Sequence, residues 1–223
     1  MSRLKFATLG LLAAALVALP LAWPADAAAN GAPQQAAVKF APIPSGEYRI
    51  DPAHSVIGFS IEHLEINWVD GRFKEFAGTI RYDANDVTKS SVEFTAKVAS
   101  IDTGIAKRDD HLRTADFFEV EKHPELTFKS TRVERKGDGW VLHGDFTLKG
   151  VTKQIAIPFT TAGAIKDPWG NTRFGVNATT TIDRRDYGIT WGKALEAGGF
   201  DIGHEVAVKL QLEAVLPAPK PGA

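Results

Sequence analysis

The chain has 223 residues, 26 basic and 27 acidic side chains for a net charge of −1, and no cysteine. The missing thiols exclude disulfide stapling, thiolate metal sites and cysteine nucleophiles, and the balanced charge gives no electrostatic basis for binding nucleic acid. With 44% hydrophobic and 24% charged residues, the composition is that of a globular protein long enough to bury a core.

Arg3 and Lys5 precede an apolar run, Phe6–Leu19, which Pro20 and Pro24 break. Small residues follow at Ala25-Asp26-Ala27 and Ala27-Ala28-Ala29. This layout predicts a cleavable secretory signal peptide over 1–29 and a periplasmic or secreted mature protein. The apolar run, about 14 residues, falls short of the roughly 20 that span a bilayer. No cysteine follows the cleavage region, so an acylated lipoprotein is excluded. Residues 30–45, rich in Ala, Pro, Gln and Gly, read as a flexible lead-in. The folded domain is expected over 46–216, with a disordered tail at 217–223.

Within 46–216 the dominant hydrophobic period is two, the signature of half-buried strands. Ile57, Phe59 and Ile61 alternate with polar residues in the first strand. In a second, over 71–82, Phe73 and Phe76 break the period and predict a bulge. Val92, Phe94, Ala96 and Val98 form a third, and Leu126 and Phe128 face one way in a fourth over 126–135. Trp140, Leu142, Gly144, Phe146 and Leu148 mark the fifth, and Ile155, Ile157 and Phe159 the sixth. Phe174, Val176, Ala178, Thr180 and Ile182 make the seventh. Val206, Val208, Leu210, Leu212 and Ala214 make the eighth. Gly137-Asp138-Gly139 and Asp167–Asn171 supply turns. One helix is predicted over Ile105–Phe117, and a helical turn over 63–70. Eight amphipathic antiparallel strands predict an all-β fold closed into a barrel, which removes exposed edges. At eight strands the interior is filled by side chains or holds one small ligand. Small inward residues such as Ala96, Gly144 and Ala178 fit either a hollow or simple barrel taper.

A search for chemistry finds little. The histidines (His54, His63, His111, His123, His143, His204) lack zinc-helix spacing, and His-Glu-x-x-His, Gly-x-Ser-x-Gly and phosphate-cradling glycine loops are absent from the sequence. Asp183-Arg184-Arg185-Asp186 closes a strand and reads either as a solvated salt-bridged turn or as a cationic rim for a polar head group. Alternation predicts a cavity lining of Ile57, Phe59, Ile61, Phe73, Phe76, Phe94, Val98, Phe117, Phe128, Leu142, Phe146, Ile157, Phe159, Phe174, Val176, Ala178, Val208 and Leu210. His111, Arg113, Arg184 and Arg185 are head-group candidates.

Four stretches carry a family resemblance: YRIDPAHSVIGFSIEHL at 48–64, DDHLRTADFFEVEKHPELTF at 109–128, LHGDFTLKGVTKQI at 142–155 and TTTIDRRDYGITW at 179–191. In these, and in their order, the chain resembles the YceI-like family, named for polyisoprenoid binding. The resemblance implies an eight-stranded antiparallel lipocalin-like β-barrel with one helix, usually exported to the periplasm. It implies an internal cavity that takes an isoprenoid, a quinone or a similar fatty amphiphile, with no catalytic residues, cofactor or metal. Transient membrane contact and a homodimer are compatible with it. The rivals are a metal-dependent enzyme in the same barrel and a filled barrel acting through protein contacts.

Overall fold

A computed structural model describes residues 38–219. The predicted signal peptide at 1–29, most of the lead-in and the last four residues lie outside the described residues. Eleven strand segments follow in order: β1 (Gly46–Ile50), β2 (Val56–His63), β3 (Asn67–Phe73), β4 (Phe76–Tyr82), β5 (Ser91–Lys97), β6 (Ile101–Asp102), β7 (Glu125–Lys136), β8 (Gly139–Leu148), β9 (Val151–Lys166), β10 (Thr172–Asp183) and β11 (Ile202–Leu216). Among the described residues a single α-helix, α1 (Ala106–Arg113), follows β6.

The eleven segments make eight staves. β1 and β2 lie along the same edge of β11, at Ala214–Val215 and at Ile202–Gln211 respectively. β4 pairs with β1 and β3 with β2; β5 pairs with β4 and β6 with β3. Each of these three pairs of segments is therefore one long strand with a corner. The remaining staves, β7 to β11, pair in sequence, and β11 returns to β1 to close the barrel.

The corners have local causes. Between β3 and β4, the amides of Lys74 and Glu75 leave the ladder and donate to Ser100 Oγ at 3.1 and 3.0 Å. Ser100 itself sits in a 3-10 turn, Val98–Ser100, that bends β5 into β6. The period break at Phe73 and Phe76 is this corner.

Three local expectations need correction. The helix ends at Arg113, four residues early, because Thr114 caps it and Phe117–Glu119 fold back onto Leu112 and Thr114 through backbone bonds. Residues 63–70 hold no helical turn. They form a β2–β3 hairpin whose tip puts Leu64 and Glu65 in the left-handed region, at φ 54° and 57°. The lead-in is packed from Ala41 onward: Ala41 bridges Ala164, and Ile43 is buried against Tyr48 and Phe174. A lone isoleucine between Pro42 and Pro44 is a weak pattern and predicts no core.

The barrel has one plugged end. Tyr48 is fully buried, donates its hydroxyl to Pro44 O at 2.8 Å, and meets Phe174 edge-on at 4.7 Å. Ile43, Ile50, Ile80, Ala164 and Ala214 complete that cluster. At the other end α1, the turns after it and residues 184–201 form the cap.

Gly144 on β8 illustrates how tightly the walls are built. A Cβ there meets Phe128 Cζ at 2.4 Å and the Lys129 carbonyl at 2.5 Å. Gly144→Ala is expected to destabilise the barrel by about 2 kcal/mol through overpacking against immovable backbone, read by urea denaturation. A change under about 0.5 kcal/mol means the neighbouring strand yields.

Candidate functional site

The barrel encloses a cavity of about 420 Å³, within the roughly 300–1,000 Å³ of small-molecule sites. Its walls are built by the period-two alternation. Ile57, Phe59 and Ile61 come from β2, Leu142 and Phe146 from β8, Phe174, Val176 and Ala178 from β10, and Val208 and Leu210 from β11. Phe73, Phe94, Phe117, Phe128, Ile157 and Phe159 also face it. The interior is hollow along the barrel axis, not a solid plug of side chains.

Phe76 and Val98 of the expected lining lie elsewhere. Val98 is 1% exposed inside the core that packs under α1, because the 3-10 turn rotates it off the β5 phase. Phe76 is partly buried beside Phe94, ring centroids 6.0 Å apart, just past the corner that shifts the β4 phase. Both follow from corners, which a period count passes over.

Polar groups gather at the capped end. Glu62, His63, Thr103, Arg108, His111 and Arg184 line that end of the cavity. Arg108, His111 and Leu112 share one helical face by their spacing of three and four residues. That face points at the cavity. Arg108 is held by Thr103, which accepts from Nε at its hydroxyl and from Nη2 at its carbonyl, both at 2.7 Å. His111 Nε2 lies 2.9 Å from Asp116 Oδ2, and its ring meets Phe117 and Trp191 edge-on, each at 5.1 Å. Asp109 anchors the helix: its Oδ1 accepts from the Thr103 amide at 2.9 Å and its hydroxyl at 2.5 Å.

The four head-group candidates separate. His111 lines the cavity. Arg184 also borders it, but its guanidinium is spent on four backbone carbonyls: Gly203, Ile189, Trp191 and Ile202, at 2.6 to 3.2 Å. Burial pushes the Arg184 guanidinium pKa down, and the charges of Asp183 and Asp201 pull it back. Arg113 is a strut, donating to Ala99 O and Ile101 O. Arg185 faces solvent and pairs with Asp183 on the same turn. The Asp183–Asp186 stretch is a 3-10 turn (Arg184–Tyr187) with one arginine turned in and one turned out. It forms no cationic rim.

Sequence reasoning missed Arg108 and Trp191. The helical spacing of Arg108 with His111 and Leu112 was an available signal. Trp191 sits in an irregular segment with no period to read.

Asp51, His54 and Glu213 also come together, with oxygen and nitrogen atoms within 4.8 Å of one another. This cluster is on the outer wall, away from the cavity. Arg173 donates to both carboxylates and to Asp167, so a resident cation already occupies the centre of the acids.

The comparisons with known proteins agree with this architecture. The family model for the YceI-like domain matches residues 48–214. The chain belongs to the YceI-like family. A UPF0312 protein of Photorhabdus laumondii is 42% identical over 145 residues, which span 64% of this chain and 76% of that one. Another from Ectopseudomonas mendocina is 43% identical over 149 residues, 66% of this chain and 78% of that one. Among solved structures, the YceI protein of Campylobacter jejuni aligns with a TM-score of 0.60 at 28% identity, covering 75% of this chain and 96% of that one. BcnA of Burkholderia cenocepacia aligns at 0.63 and 23% identity, covering 74% and 98%. A Saccharophagus degradans domain described as polyisoprenoid-binding aligns at 0.57 and 19% identity, covering 76% and 98%. This YceI-like chain thus shares a closed eight-stranded barrel with its structural neighbours.

Proposed function

We propose that the protein holds a long-chain amphiphile of isoprenoid type, such as a polyprenyl lipid or a quinone, for transport, storage or sequestration and without chemical turnover. The observation that carries this reading is the cavity itself, lined mainly by aliphatic and aromatic side chains along the barrel, with its charged groups Glu62, Arg108 and Arg184 gathered at the capped end. That gradient suits a hydrocarbon tail in the barrel and a head group beside Arg108 and His111. The Saccharophagus degradans neighbour, described as a polyisoprenoid binding domain, supports the same ligand class. Burying each five-carbon unit gains on the order of 3–4 kcal/mol, reduced by the cost of ordering the chain. The signal peptide expected over 1–29 supports a site of action outside the cytoplasm. Around the capped end Leu64, Ile66, Trp68 and Phe200 are exposed apolar side chains, which supports brief membrane contact during exchange.

Organic extraction of the purified protein followed by mass spectrometry tests the reading. A stoichiometric polyprenyl lipid or quinone is expected, together with saturable uptake of dansyl-labelled farnesol. Ala178 lines the hollow centre, so Ala178→Trp is expected to abolish uptake while the protein still unfolds cooperatively. Background lipid alone, with no uptake by the unmodified protein, overturns the proposal. A tight stoichiometric metal would favour the enzyme reading instead.

A further inference from the structure

The barrel wall is not hydrogen-bonded all the way round. The β9–β10 ladder runs from Thr172↔Lys166 to Ala178↔Phe159 and ends there, although both strands continue for several residues. The cause is Pro158. β8 and β9 are joined by a two-residue turn, Lys149–Gly150, with Leu148 opposite Val151. In an antiparallel ladder the bonded pairs alternate from such a turn, so the odd-numbered residues of β9 exchange bonds with β8. The even-numbered Pro158 therefore turns its nitrogen toward β10, where it has no proton to give.

Beyond Pro158 the two strands form a window instead of a ladder. Ile155 and Ile157 on one side and Thr180 and Ile182 on the other all line the cavity, so the hollow reaches this gap. One side-chain bond spans it, Thr180 Oγ1 to Ala156 O at 3.2 Å. The far edge is closed by a half-exposed ion pair, Lys153 to Asp186, at 3.6 Å. The outward residues flanking the window are Gln154, Ala156 and Pro158 on β9 and Thr179, Thr181 and Asp183 on β10, uncharged except for Asp183 at the far edge. On β11, by contrast, the outward row carries Glu205, Lys209 and Glu213.

The geometry points to this window as a lateral portal through which the hydrocarbon chain of the guest passes into and out of the barrel. The inference rests on the amphiphile-binding reading above and adds the route. A chain sliding sideways between Ala156–Pro158 and Thr179–Thr181 breaks one side-chain hydrogen bond and meets no charged side chain on those segments. Threading past the capped end would drag it across Glu62, Arg108 and His111.

A reversible clasp tests the route, and the cysteine-free chain makes the clasp unambiguous. Extending the β9–β10 register sets Ala156 opposite Thr181, both outward, so Ala156→Cys with Thr181→Cys bridges the window. The control pair, Thr179→Cys with Lys209→Cys, bridges the intact β10–β11 ladder, where those residues are direct partners. Where oxidation fails to join the window pair, a short bifunctional maleimide joins it. Stopped-flow uptake of dansyl-labelled farnesol from phosphatidylcholine vesicles supplies the readout.

Closing the window is expected to slow both loading and release by about tenfold or more, a barrier change of at least about 1.4 kcal/mol. Affinity should hold constant, reduction should restore the rate, and the control pair should leave it unaltered. Pro158→Val, which returns the missing N–H, is expected to slow exchange in the same direction. Equal rates for the clasped and unclasped forms overturn the portal and leave guest binding intact. Failure of the unmodified protein to take up the probe overturns the binding reading and the portal with it.

Discussion

Replacing Arg184 with methionine is expected to cost about 4 kcal/mol of stability, even at about 1 kcal/mol for each of its four hydrogen bonds. The side chain is 4% exposed, and the carbonyls it serves belong to Ile189, Trp191, Ile202 and Gly203. These residues bracket the irregular stretch between β10 and β11, which contains few ladder bonds of its own. One planar guanidinium thus replaces the backbone pairing that this stretch lacks. Methionine fills similar volume and donates nothing, so four acceptors lose a charged partner. Arg184→Lys keeps the charge but presents its donors from a single point, and should recover less than half of the loss. Thermal unfolding followed by circular dichroism gives the magnitude. Hydrogen exchange localises it: amides of 189–203 should exchange before those of β7 and β8. A methionine variant within about 1 kcal/mol of the parent, with unaltered exchange in that stretch, shows that the carbonyls find water without penalty.

Arg173→Met should destabilise by about 3 kcal/mol near neutral pH, because it strands acids gathered around one guanidinium. Arg173 donates to Asp167 Oδ2 at 2.7 Å, to Asp51 Oδ2 at 2.9 Å and to Glu213 Oε1. It ties the turn before β10 and the corner after β1 to β11. The pH dependence separates this charge network from simple packing loss. The hydrogen bond from His54, assisted by Arg173 and the Ala53 amide, holds the Asp51 carboxyl down to about 2. Burial would raise the Asp167 carboxyl, yet bonds from Arg173 and Asn171 hold it at about 2 as well. Both values lie below the ordinary aspartate value of about 3.9. Between those values the unfolded chain binds the extra protons, so stability rises with pH. The contribution is complete above pH ~4 and lost as pH falls through about 2. In the methionine variant Asp167, and in part Asp51, return toward ordinary values. The gap between parent and variant should therefore be widest above pH ~4 and narrow toward pH ~2. Urea titrations at stepped pH measure it; a gap that stays constant through that range would falsify the charge-network account.

Much of the cavity was legible in the sequence because period-two alternation is a local property. Phe174, Val176 and Ala178 must share a face whatever their neighbours do. The alternation also placed Ile155, Ile182, Val206 and Leu212 inward, and these line the hollow too. The misplacements cluster at irregularities. Val98 and Phe76 sit beside the Ser100 corner, where the phase slips. Arg184 was grouped with Arg185 as a surface pair, but consecutive residues in a 3-10 turn point in different directions. Phe117 reaches the cavity from a folded-back turn beyond α1, not from the predicted helix.

The chain alone therefore determined that eight amphipathic strands alternate between an oily and a wet face, and that its motifs are those of the YceI-like family. Both follow from short-range information, residue type and spacing, which needs no knowledge of what lies across the sheet. Tertiary structure decided whether the barrel was hollow or filled, which arginine faced inward, and where the wall stopped being zipped. Those outcomes depend on partners far apart in the chain: Pro158 opens a gap only because β10 runs beside it, and Arg184 is buried only because residues 189–203 wrap around its guanidinium.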